Sequence, residues 1–93
     1  MPNKQSRFLI DTYFAAFNAG DTKKMESLIA EDLVHDVNQG ERRLGKDAFW
    51  SFYVHMTRCY KERLTDIVLF VNEEGTRAAA EFIVHGTYIA TDE

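Results

Sequence analysis

Residues 65–90, TDIVLFVNEEGTRAAAEFIVHGTYIA, decide the fold. Thr65 to Asn72 reads as a strand with both faces apolar. Ile67, Leu69 and Val71 lie on one side, Val68 and Phe70 on the other. A strand of that kind needs cover on both sides of its sheet. Asn72-Glu73-Glu74-Gly75 is a hairpin turn. A long strand follows over 76–90. Ala78, Ala80, Phe82, Val84 and Tyr88 share one face, and Ala79, Glu81, Ile83, His85 and Thr87 the other. The mixed face carrying His85 reads as the outer surface of the sheet.

Working back from this hairpin, 46–63 reads as a helix. Phe49, Phe52, Tyr53, Met56 and Tyr60 recur at three- and four-residue steps, with Trp50 and Val54 as a second partial stripe. Gln39-Gly40-Glu41 turns the chain, and Glu41-Arg42-Arg43 reads as a solvated loop. Residues 33–38 alternate as a strand, Leu33, His35 and Val37 on one face and Val34, Asp36 and Asn38 on the other. A short helix over 22–30 presents Met25, Leu28 and Ile29. The first helix, 4–19, carries Leu9, Tyr13, Ala16 and Phe17 on one stripe, widened by Ile10 and Phe14. Asn3 is placed to cap it, Gly20 to stop it, and Asp21 or Thr22 to cap the next. Helices and antiparallel strands are segregated, which makes the chain α+β.

The whole chain, 1–93, reads as one domain. Hydrophobic residues make up 45% and only one Pro is present, so disorder is excluded as the main state. The net charge of −4 argues against a nucleic-acid partner, because phosphate binding needs a basic patch. No apolar run reaches the length of a membrane helix, and the single Cys59 makes no internal disulfide. A cytoplasmic protein is the expectation. Thr91-Asp92-Glu93 follows the long strand directly, and the sheet reads as incomplete at that end.

Three histidines, His35, His55 and His85, fit no local ligand spacing, so no metal is expected. Cys59 reads as packing. Either His35 or Asp36 faces the interior, since strand neighbours point to opposite sides. A neutral His suits general-base work near neutral pH, yet each reads equally well as structural. The aromatic residues Phe17, Phe49, Trp50, Phe52, Tyr53, Phe82 and Tyr88 form either a core or the walls of an apolar pocket.

Three segments resemble the NTF2-like superfamily, and within it the SnoaL-like and ketosteroid isomerase-like proteins. They are Tyr13-Phe-Ala-Ala-Phe-Asn-Ala-Gly-Asp21, Leu28-Ile-Ala-Glu-Asp-Leu-Val-His-Asp36 and Val84-His-Gly-Thr-Tyr88; Gly45-Lys-Asp-Ala-Phe49 resembles the start of the third helix. The resemblance implies a cone, in which three N-terminal helices pack on a curved antiparallel sheet around a cavity. It also implies further strands that complete the sheet, and homodimers formed through it. The ligand it implies is a small, largely apolar carbonyl compound, with no cofactor. Tyr13 would hydrogen-bond a developing enolate, Asp36 or His35 would take the proton, and Phe17, Trp50, Phe52, Phe82 and Tyr88 would line the pocket. The activity would be isomerisation or cyclisation. The alternative is a non-catalytic module that binds a hydrophobic ligand, or one that dimerises or binds another chain.

Overall fold

The computed structural model describes residues 2–37 and 40–91. Two helices come first, α1 (Pro2–Ala19) and α2 (Thr22–Ser27). A two-residue pair, β1 (Val34–His35) and β2 (Arg43–Leu44), precedes α3 (Lys46–Cys59). The long hairpin β3 (Tyr60–Val71) and β4 (Ala78–Tyr88) closes the order. Both strand pairs are antiparallel. The α+β architecture expected from the sequence is the one present.

Gly20 stops α1 with φ of +70°, a conformation that costs glycine nothing. The Asp21 carboxylate then accepts a bond from the Lys24 amide at 3.2 Å and caps α2. Asn3 does not cap α1, because the helix begins at Pro2 and Asn3 lies inside its first turn. Proline suits that first position. The α2 helix stops at Ser27, short of residue 30, with the Leu28 amide bonded back to Met25.

The β4 strand is shorter than the expected 76–90, and two further boundaries differ from the sequence reading because tertiary pairing overrides local pattern. The α3 helix ends at Cys59, and Tyr60 opens β3 instead of closing the helical stripe. Residues 60–64 pair in register with 84–88. The first strand shrinks to Val34–His35 because only Leu44 and Arg43 lie opposite it. The proposed strand position Asn38 and turn residue Gln39 lie outside the described residues, as do Asp92 and Glu93 at the chain end. The Glu41–Arg43 stretch is not a plain solvated loop: Arg43 belongs to β2, and its guanidinium sits 4.8 Å from the centre of the Phe52 ring.

A bulge between Thr65 and Val68 interrupts the hairpin ladder. Asp66 there has φ of +55°, in the left-handed region. The extra residue swaps the faces of β3. Before it, Tyr60, Glu62 and Leu64 turn toward the helices; after it, Ile67, Leu69 and Val71 do. This keeps the face of Ala80, Phe82 and Val84 matched along the pair.

The α1 helix crosses the hairpin and is fixed at both ends. The Ser6 hydroxyl donates to the Gly75 carbonyl at 2.6 Å. At the other end the Asn18 amide donates to the Leu64 carbonyl and accepts from the Leu64 amide, both at 2.8 Å. The core packs Ala16, Met25 and Tyr53, with Tyr13, Phe17 and Trp50 against them. Gly45, with φ of +90°, lets the chain turn from β2 into α3 while its amide bonds Leu33. The Lys46 amide bonds Glu31, so α3 starts against the residues that lead into β1.

Candidate functional site

The alternation around β1 settles which way its two polar neighbours point. His35 is half-buried with Leu33 and Val37, whereas Asp36 is exposed. The His35 ring packs edge-on to Phe49 at 4.8 Å and tilted against Phe52 at 5.0 Å. Its Nδ1 is closed off from solvent and finds no hydrogen-bond partner among the described residues. Burial holds the imidazole below the usual histidine range. The Arg43 charge acts in the same direction, and Asp36 opposes them. His35 is therefore a neutral imidazole near pH 7, with one ring nitrogen uncommitted.

Asp36 has a different occupation. Arg42 holds it with two bonds, Nε to Oδ1 at 2.8 Å and Nη2 to Oδ2 at 3.0 Å. This fork keeps the carboxyl below the usual carboxylate range. A carboxylate so held is a weak base at the surface.

Tyr13 lies on the inward side of α1, packed on the core cluster. Its ring meets Phe14 edge-on at 5.8 Å. Burial raises its hydroxyl above the usual phenol value, and the neighbouring Tyr53 adds to this. Burial raises Tyr53 as well. Both hydroxyls thus keep their protons and can donate hydrogen bonds. Tyr53 belongs to the core cluster; its burial and its place beside Tyr13 depend on how α1 crosses α3, which no local pattern reports.

The aromatic residues divide between three settings. Trp50 stacks on Tyr53 at 4.9 Å, and Phe17 meets the same ring edge-on at 6.3 Å. Phe52 belongs to the His35 slot. Phe82 reaches across to Phe14 at 5.6 Å, and Tyr88 leans on Tyr60 at 5.5 Å. The helix-facing side of β4 is otherwise open, with Phe82, Val84 and Tyr88 all exposed.

A cavity of about 370 Å³ lies where α1 and α3 end and β3 begins. Phe17, Asn18, Tyr53, Met56, Tyr60 and Glu62 contribute to its wall. It takes in Phe17 of the expected pocket residues; Trp50, Phe52, Phe82 and Tyr88 do not line it. His35 stands away from it, on the flank of α3 that carries Phe49 and Phe52. Asn18 and Glu62 were not singled out in the sequence; neither belongs to an apolar pattern.

His85 lies on the outer face, as the alternation predicts, with Nε2 2.8 Å from the Thr65 hydroxyl. His55 approaches Arg58 at 3.1 Å and the Cys59 sulfur at 4.0 Å, both within α3. Cys59 is fully buried. Among the described residues no cluster of three metal-ligating side chains forms, and no helix is long and apolar enough to cross a membrane.

The family model for the SnoaL-like domain matches residues 10–93. Three crystal structures, each named a "putative polyketide cyclase", share the fold. One from Pseudomonas putida KT2440 is 56% identical with a TM-score of 0.89, over 91% of this chain and 64% of that one. One from Xanthomonas campestris pv. campestris is 46% identical with a TM-score of 0.95, over 100% and 69%. One from Silicibacter sp. TM1040 is 50% identical with a TM-score of 0.90, over 100% and 68%. The chain thus spans 64–69% of the length of these three proteins. No curated protein matches it significantly.

Proposed function

The chain belongs to the SnoaL-like family, and from that premise we propose that it binds a small, largely apolar carbonyl compound and moves a proton on it. The observation that carries this reading is His35, an inward-turned neutral imidazole set between the Phe49 and Phe52 rings. In the proposed step, His35 takes a proton from the carbon next to a carbonyl. Tyr13 donates a hydrogen bond to the enolate oxygen as charge develops there. Proton return to another carbon of the same molecule gives isomerisation. Attack of the enolate carbon on a second carbonyl, followed by proton return to the new alkoxide, gives ring closure. The names of the three structural relatives favour ring closure of a poly-carbonyl chain.

Asp36 has no catalytic part in this reading, because Arg42 occupies both of its oxygens. The proposed substrate surface is the open helix-facing side of β4, where Phe82 and Tyr88 are exposed. No cofactor takes part.

The test uses linear poly-β-ketones and polycyclic ketones with wild type, His35→Gln, Tyr13→Phe and Asp36→Asn. Binding is read by thermal shift and turnover by product analysis. The expected result is that His35→Gln keeps the shift and loses about 10²–10⁴-fold in turnover, whereas Asp36→Asn keeps both. Turnover that survives His35→Gln and disappears with Asp36→Asn contradicts the assignment. A thermal shift that no variant couples to turnover supports ligand binding without catalysis instead.

A second copy of the chain is the proposed partner, packed through the outer face of the β3–β4 hairpin. Val68, Phe70 and Ile83 lie exposed at its centre. Arg63 and Glu81 on the same face carry opposite charges, so a two-fold arrangement can bring them together.

A further inference from the structure

We propose that the cavity at the ends of α1 and α3 is a binding site for an organic cation, an ammonium group with alkyl substituents. Its volume of about 370 Å³ falls in the range of small-molecule sites. Aromatic rings line it. Phe17 and Tyr53 form one edge-to-face pair on the helices. Tyr60, at the start of β3, also lines it, with Tyr88 leaning on its ring. The Met56 thioether completes the apolar lining. Ring faces attract a cation through their quadrupole, and most strongly where water is partly excluded.

Two sources of negative potential converge on the same space. The last turn of α1, Phe17 to Ala19, lines it, and the C-terminal end of a helix carries partial negative charge. No basic side chain lies in that turn to offset it. The last turns of α3 contribute Met56 and Thr57, but Arg58 in its last turn offsets that helix end. The second source is Glu62, half-buried on the helix-facing side of β3. It forms no ion pair among the described residues. Gly86 lies opposite Glu62 in the ladder. Lys61 also borders the cavity, but it is exposed and sits at an outer-face register position opposite Thr87. A carboxylate, the C-terminus of α1 and aromatic walls favour a cation over a neutral or anionic ligand of the same shape.

This inference does not depend on proton transfer at His35, and it is tested by binding alone. The probes are choline and 3,3-dimethylbutan-1-ol, in which carbon replaces the charged nitrogen without changing the shape. Dissociation constants are read from Trp50 fluorescence, since Trp50 stacks on Tyr53 in the cavity wall. Choline is expected to bind at least about fivefold more tightly than the alcohol. Glu62→Gln is expected to remove most of that preference while leaving the alcohol unchanged. Equal affinity of the two probes in wild type overturns the proposal. So does a preference that survives Glu62→Gln, or binding of neither probe by a cooperatively melting sample. Should Glu62→Gln fail to fold, the wild-type comparison decides alone.

Discussion

Asn18→Ala should destabilise the protein far more than an exposed residue at a helix end normally would. The Asn18 amide is the clamp between α1 and β3, with two bonds of 2.8 Å to the backbone of Leu64. Leu64 is buried, and its own strand partner is Val84. Truncation leaves one amide and one carbonyl on the far edge of β3 without a partner. An orphaned buried polar group costs about 1–3 kcal/mol. Because Asn18 itself is exposed, water can recover part of this, so the low end applies, about 1–2 kcal/mol in total. For a domain of this size that is a fall of roughly 4–16 °C in Tm. Urea unfolding followed by circular dichroism gives the free energy, with exposed Thr57→Ala as the reference substitution. A change within about 0.5 kcal/mol, the usual range for a surface substitution, would refute the reasoning. It would mean that α1 is held by apolar packing alone.

Stability should also fall on mild acidification through His35. Its folded-state value is depressed by burial and Arg43, so the unfolded chain binds the proton more readily. The contribution is complete above the ordinary histidine value of about 6.5 and is lost as pH drops through the lower folded value; His35→Gln should flatten that limb of a Tm-against-pH curve. At the bulge, Asp66 adopts φ of +55°, so Asp66→Gly should be neutral or stabilising and Asp66→Val should cost about 1–2 kcal/mol, measured by urea unfolding. Ile83→Lys places a charge at the centre of the outer sheet face and should shift sedimentation toward the monomer without lowering the monomer's melting temperature; an unchanged distribution would remove the proposed dimer face.

Much of this architecture is legible in the residues. Gly20 and Asp21 announce the junction of α1 and α2, and the Asn72–Gly75 turn announces the hairpin. Asn72 holds that turn by accepting from the Thr76 and Arg77 amides, each at 2.9 Å. The end of α3 is not legible. Tyr60 stands four residues after Met56, as a helical stripe requires, and no Gly or Pro marks the stop. The boundary is set by pairing with Tyr88, which lies 28 residues away. The bulge at Asp66 is equally silent, because an aspartate between Thr65 and Ile67 alternates like any strand residue. For the candidate site, alternation says only that His35 and Asp36 point to opposite sides; the packing of β1 on α3 turns His35 inward and leaves Asp36 exposed. What it could not supply was the partner of each. The fork from Arg42 and the aromatic slot of Phe49 and Phe52 arise only when β2 and α3 fold back on β1. The place of Tyr53 was hidden for the same reason, since a stripe of aromatics does not say which ring meets Tyr13.

The most direct test of His35 as the base is solvent deuterium uptake at the carbon next to the carbonyl of a bound polycyclic ketone, followed by NMR across pH. Wild type should exchange with a rate that rises as a group below the ordinary histidine range loses its proton, and then levels. His35→Gln should exchange at the uncatalysed rate at every pH while still binding the ketone. Exchange in His35→Gln that matches wild type in rate and pH profile would contradict the account.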